Sequence, residues 1–140
     1  MLPVPMRNRL ATLIVDSFHD AAARRGLEAL AMACADPMAL AHADDVPEAL
    51  SRDWFDARGG GLHVTARWAG HAAELADRAA RAWDVVRARP LEPPSAPLGA
   101  ALDAAGLLFD ARLYFETHEL LEPHWMRAAG SEREALKGLI

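Results

Sequence analysis

At 140 residues, with 52% hydrophobic side chains, the chain can build one ordinary domain, or one domain with a helical extension. Its net charge of −5, and the scatter of its arginines beside acidic residues, argue against a nucleic-acid partner, because that binding depends on a basic surface that neutralises phosphates. No apolar run approaches the roughly 18 residues of a membrane span, so no membrane partner is expected. Much of the apolar content is alanine and β-branched residues are sparse, which favours closely packed helices over sheet.

The start, "MLPVPMRNRLATLIVDSFHD", holds a short apolar run closed by charges, with no small-residue cleavage site after it. Leu10, Leu13, Ile14, Ser17, Phe18 and Ala21 then recur at helical spacing on one face, and Asp16, His19 and Asp20 fall on a solvated one. Gly26 is expected to punctuate this helix, with "LEALAMACA" continuing it until Asp36 and Pro37. Cys34 lies in that continuation as a small buried hydrophobe. A single cysteine excludes an intrachain disulfide, which fits a reducing, cytoplasmic setting.

"PMALAHADDV", with His42, reads as loop or a single turn, and "VPEALSRDWFDARGGG" as a short helix with Pro47 in its first turn. Gly59, Gly60 and Gly61 read as a flexible linker, because they lack the lysine and hydroxyl of a phosphate-binding loop and follow no strand. The longest helix is expected over "HVTARWAGHAAELADRAARAWDVVRAR", with Trp68, Ala72, Leu75, Ala79, Ala82 and Val86 on one face and His63 and His71 at its start and exposed side. Trp54, Trp68 and Trp83 read as core or helix-contact residues. "PLEPPSAPLG" cannot continue a helix, because proline lacks an N–H and restricts the residue before it. That boundary divides an N-terminal helical segment, residues 1–90, from a helical domain over residues 91–140.

The second part reads as a helix, a tight turn at Asp110 to Arg112, a second helix, a turn at Gly130 and a third helix opened by a Ser131–Glu134 capping box. Its middle helix carries the chemistry, "YFETHELLEPHW". At 100° per residue, Tyr114, Phe115, His118, Leu121, Glu122 and Trp125 share one sector, with Glu119 on its flank and Glu116 and Leu120 pointing away. That places His118 and Glu122 among aromatics that need burial, as a hydrogen-bonded pair fixing helix packing or as an acid–base or metal-ligand pair in a pocket. The glutamate at Glu122 breaks the His-Glu-x-x-His zinc motif, and the glutamate spacing of di-iron bundles does not occur, so no metal or cofactor is expected. Pro123 should kink or restart the helix and displace His124 and Trp125.

Phe109, Asp110, Tyr114, Phe115, Glu116, His118, Glu119, Leu121, Glu122 and Trp125, followed by Leu136, Gly138, Leu139 and Ile140, form a pattern that resembles the bacterial and archaeal family called domain of unknown function 309. The likeness covers about the last 40 residues and implies a small helical bundle without an established activity. Arg112 stands where that family usually has glycine. Family members usually continue past the final Leu-Ile, so Leu136 to Ile140 is expected to form an exposed apolar edge, covered by a second copy, another protein or a missing segment.

These observations lead to an all-α helical bundle with an N-terminal helical extension. The expected role is a non-enzymatic module that binds a protein or small ligand, with His118, Glu119, Glu122, Trp125 and Tyr114 as the candidate cluster. The alternative is a metal-dependent or acid–base hydrolase-like enzyme using His118 and Glu122.

Overall fold

The computed structural model describes residues 1–40, 53–94 and 96–138. It is helical throughout apart from one two-stranded hairpin: α1 (Val4–Asp16), α2 (Ala21–Ala35), β1 (Phe55–Arg58), β2 (Gly61–Val64), a 3-10 segment (Ala66–His71), α3 (Ala72–Arg87), α4 (Leu98–Asp110), α5 (Tyr114–Arg127) and α6 (Gly130–Lys137). The all-α expectation holds.

α1 buries Met6, Leu10, Ala11 and Ile14, the one stripe that spacings of three and four residues produce. The chain then breaks at Ser17 to Asp20, before Gly26. Ser17 turns its hydroxyl back to donate to the Ile14 carbonyl, and Asp20 caps α2 by accepting from the Ala22 N–H at 2.8 Å. Gly26 lies buried inside α2, where small side chains at Ala29 and Ala33 also face inward. α2 packs along α3, whose buried residues Leu75, Ala79, Ala82 and Val86 are the inner face read from the sequence. The expected long helix starts late: His63 belongs to β2, and residues up to His71 form the 3-10 segment. Alanines on both α2 and α3 make the close approach cheap in side-chain entropy.

Gly59 and Gly60 form a hairpin turn instead of a linker, and within the stretch expected as a helix before them Phe55–Arg58 is a strand. Residues 41–52, including His42 and Pro47, lie outside the described residues, but Phe55 pairs with Val64 and Arg58 with Gly61 in antiparallel register. Gly59 and Gly60 both take positive φ, 56° and 82°, the backbone of a type I′ turn that glycine adopts without a steric penalty. Gly61 is fixed by contact: a Cβ there would lie 2.7 Å from the Pro37 carbonyl, which already accepts the Leu62 N–H. Trp54 is buried beside this hairpin, and the Trp68 indole donates to the Asp53 carbonyl at 3.1 Å. Trp68 and Trp83 are partly buried against the core.

Residues 88–94, 96 and 97 are non-helical, as the prolines require, and form a strap. It is tied down by the Glu92 N–H donating to the Phe18 carbonyl and by Arg24 of α2 donating to the Arg89 carbonyl, both at 2.8 Å. Past the strap, α4 and α5 form a helical hairpin. α5 packs on α1 as well as on α4, and α6 packs on α5. One hydrophobic core runs from Leu2 through Val86 to Ala104, Leu108 and Leu113, so both halves of the sequence contribute to it.

The α4–α5 turn has a specific geometry. The Leu113 N–H donates to the Leu108 carbonyl, and the Arg112 N–H to the Phe109 carbonyl. With Arg112 at φ 61°, this is a Schellman ending whose left-handed residue is not glycine. Leu108 and Leu113, the apolar pair that accompanies such an ending, are both fully buried. α6 shows a difference from expectation. Its N-cap is Ala129 with no side-chain bond, so Ser131 and Glu134 do not form a capping box. Leu136 is buried under the chain's own residues, which removes it from the expected apolar edge; Leu139 and Ile140 lie outside the described residues.

Candidate functional site

α5 is rotated about its axis relative to the sequence expectation. Its buried residues are Glu116, Thr117 and Leu121, with Leu113 buried just before it. At 100° per residue this inner face lies roughly a third of a turn from the sector holding His118, Glu122 and Trp125. Glu116, expected to point away from the core, is 0% exposed.

The reason is a partner 38 residues earlier. The Arg78 guanidinium of α3 donates through Nη2 to both carboxylate oxygens of Glu116, at 2.7 and 3.0 Å. A buried carboxylate is tolerable only when paired and hydrogen-bonded, and Arg78 supplies both. Next to it, Thr117 returns its hydroxyl to the Leu113 carbonyl at 2.8 Å, so the second polar group on this face is also satisfied. The structural ion pair of α5 is therefore Glu116–Arg78.

His118, Glu119 and Glu122 lie on the opposite, half-exposed side, with side-chain exposures of 43%, 41% and 42%. The expected placement of His118 and Glu122 on a buried face is overturned, because the aromatics thought to demand burial are held otherwise. Tyr114 is 55% exposed and packs edge-on against Phe109, ring centres 5.1 Å apart. Phe115 lies under the Arg7 guanidinium at 4.2 Å, and Trp125 under that of Arg133 at 4.6 Å. Cation–π contacts of this kind let an aromatic ring remain near the surface.

The structure does bring the polar part of the cluster together. His118 Nδ1 lies 3.6 Å from Glu119 Oε1 and 3.9 Å from Glu122 Oε2. One donor atom from each residue falls within 4.8 Å of the others, a spacing that could hold a metal ion. The separations are longer than direct hydrogen bonds, which end near 3.2 Å for N–H···O. Tyr114 and Trp125 make their recorded aromatic contacts elsewhere.

Among the described residues, a cleft lies on each of two flanks of α5. One, of about 540 Å³, is lined from α5 by Leu120, Pro123, His124 and Arg127; the other, of about 430 Å³, by Thr117 and Leu121 against Leu102 and Phe109 of α4. Neither is lined by His118, Glu119 or Glu122. The helix continues through Pro123 without restarting, which keeps His124 and Arg127 on the first cleft. His19 lines the same cleft from the α1–α2 turn and is half-buried rather than solvated. Burial, and then the neighbouring Arg127 charge, hold the His124 imidazole below its ordinary range, with Glu132 opposing. The Cys34 thiol is pushed up to about 12 by burial, so it stays protonated, in keeping with a packing role.

Sequence reasoning missed Glu116 and Arg78. The available signal was the row Leu113–Thr117–Leu121, an i, i+4, i+8 line of apolar and small side chains that competes with the aromatic sector.

Residues 102–140 match the family model described as Domain of unknown function (DUF309), the stretch from within α4 to the last residue. No curated protein and no solved structure matches the chain. No helix among the described residues is long and apolar enough to cross a membrane.

Proposed function

We propose that the protein is a non-enzymatic helical binding module, and that the outer side of α5 holds a divalent cation through His118, Glu119 and Glu122. The observation that carries this reading is the separation of duties on one helix. Glu116 and Arg78 hold the packing, which leaves three metal-ligating groups gathered on the surface without direct bonds among them. Ligand atoms about 2.0–2.2 Å from a zinc-sized ion lie roughly 3.4 Å apart in a tetrahedral arrangement. The distances of 3.6 and 3.9 Å are close to that spacing. Residues 91–140 form the functional part in this reading, and residues 1–90 support it by supplying Arg78.

The hydrolase-like reading draws on one feature, that three protein ligands leave coordination positions open, as catalytic metal sites do. The module is preferred because the three side chains stand outside the two clefts beside α5, and a reaction needs a site that positions substrate and excludes water.

Zinc and manganese titrations followed by calorimetry, with the His118 ring resonances monitored, test this. Uptake of one ion by the native chain, lost in His118→Ala and Glu122→Gln with circular dichroism unchanged, is the expected result. Absence of uptake at millimolar metal, or equal uptake by both variants, overturns it. Turnover of simple esters or phosphodiesters by the metal-loaded protein, abolished by Glu119→Gln, would replace the module with the enzyme.

A further inference from the structure

The cleft on the other side of α5 has a chemistry of its own. It opens between the end of α1, the proline-rich strap and the start of α4, and its volume of about 540 Å³ falls within the range of small-molecule sites. We propose that this cleft binds a small organic anion, a carboxylate or sulfonate carried on an apolar body.

The walls divide by chemistry. Val15, Phe18, Leu98 and Leu120 present an apolar surface suited to an aliphatic or aromatic group. His19, His124 and Arg127 bring nitrogen donors from two separate parts of the chain to the same space. The acid among the lining residues, Glu92, is engaged by the Arg89 guanidinium, which leaves the balance of the cleft positive. α4 begins at this wall, at Leu98, with Pro97 as N-cap and no side-chain cap bond. The positive end of its dipole and its first free N–H groups therefore lie beside the cleft.

His124 and Arg127 also sit in the last turn of α5, where positive charge complements the helix dipole without any ligand. That role requires neither His19 on the facing segment nor an apolar wall. The ionisable groups around His124 are Arg127 and His19, both basic, with Glu132 of α6 and Glu92 of the strap as the acids. From its place on the cleft wall the His124 imidazole can donate a ring N–H to an anion.

Octanoate and naphthalene-2-sulfonate serve as anionic probes, with octylammonium and octanol as matched controls, measured by calorimetry on the full chain. Both anions are expected to bind at sub-millimolar concentration and octylammonium much more weakly. Arg127→Gln, at an exposed residue, should weaken octanoate by roughly tenfold, the factor for one charge-assisted hydrogen bond. Leu98→Trp should block the cleft; should that variant fail to fold, Arg127→Gln and His19→Gln decide the matter. Equal binding of octanoate and octylammonium, no anion binding at millimolar concentration, or unchanged affinity in both Arg127→Gln and His19→Gln would overturn the assignment.

Discussion

The inner and outer sides of α5 carry similar residues in different circumstances. On the inner side Glu116 is fully buried and held by two bonds from Arg78; on the outer side Glu119 and Glu122 are about 41% and 42% exposed and approach His118 without a direct hydrogen bond. In a buried setting a carboxylate must be matched by a dedicated partner, because leaving it unmatched costs several kcal/mol. At the surface water meets that need, and a cluster of ligating groups can remain available. The comparison teaches that ionisable residues alone do not mark a functional face; whether another element already neutralises them does.

The largest expected effect breaks the inner side. Glu116→Ala should destabilise the fold by about 3 kcal/mol, at the lower end for a broken buried pair because Arg78 keeps partial solvent contact. Urea denaturation measures this. Replacing both partners, Glu116→Leu with Arg78→Met, should recover most of the loss, since an apolar pair of similar volume removes the desolvation cost as well as the attraction. A Glu116→Ala loss below roughly 0.5 kcal/mol, the level of an ordinary surface change, would erase the contrast between the two sides.

Local chain geometry was legible in the sequence, and long-range pairing was not. The α3 stripe from Leu75 to Val86, the proline boundary and the turn at Asp110 to Arg112 all follow from spacing or backbone restriction within a few residues. The hairpin was missed because its evidence is partly tertiary: Gly61 is required by the approach of Pro37, more than twenty residues earlier in the sequence. The break before α2 was placed at Gly26 because glycine interrupts helices in general, whereas Ser17 and Asp20 end and restart this one through their own side chains. The rotation of α5 was misjudged for the same kind of reason. A helical wheel ranks Tyr114 and Trp125 above a glutamate for burial, and it contains nothing about Arg78 or the arginines over Phe115 and Trp125. For the candidate site, the grouping of His118, Glu119 and Glu122 was legible from i, i+4 spacing, but its exposure was not.

A smaller effect sharpens how the two sides are set. The Arg112 backbone at φ 61° ends α4 and fixes the register in which α5 begins. A left-handed conformation costs an ordinary L-residue about 1 kcal/mol relative to glycine, so Arg112→Gly should raise stability by about that amount. The Schellman bonds and the buried Leu108–Leu113 contact would be retained, leaving Glu116 facing Arg78. Thermal denaturation of this variant, with Arg112→Ala as the control for loss of the side chain, provides the measurement. A gain in Arg112→Ala equal to that in Arg112→Gly would place the cause in the arginine side chain instead of the backbone.

The smallest expected effect lies on the outer side and is the most informative about function. His118 is 43% exposed and stands 3.6 and 3.9 Å from its carboxylate neighbours, so His118→Ala removes no direct hydrogen bond and uncovers no buried partner. Alanine also has the higher helix propensity, which offsets part of any lost attraction. Stability without metal should therefore change by less than about 0.5 kcal/mol, against the 1–3 kcal/mol typical when a buried polar partner is left unsatisfied. Added zinc should separate the two proteins. An ion that binds only the folded state stabilises it by about 2.7 kcal/mol at a hundredfold excess over its dissociation constant, and the native chain should show this gain while His118→Ala does not. Urea denaturation of both proteins, with and without zinc, reads all four values. A metal-free loss above about 1 kcal/mol would return His118 to the structural side of the helix, because only a group with a buried partner can lose that much.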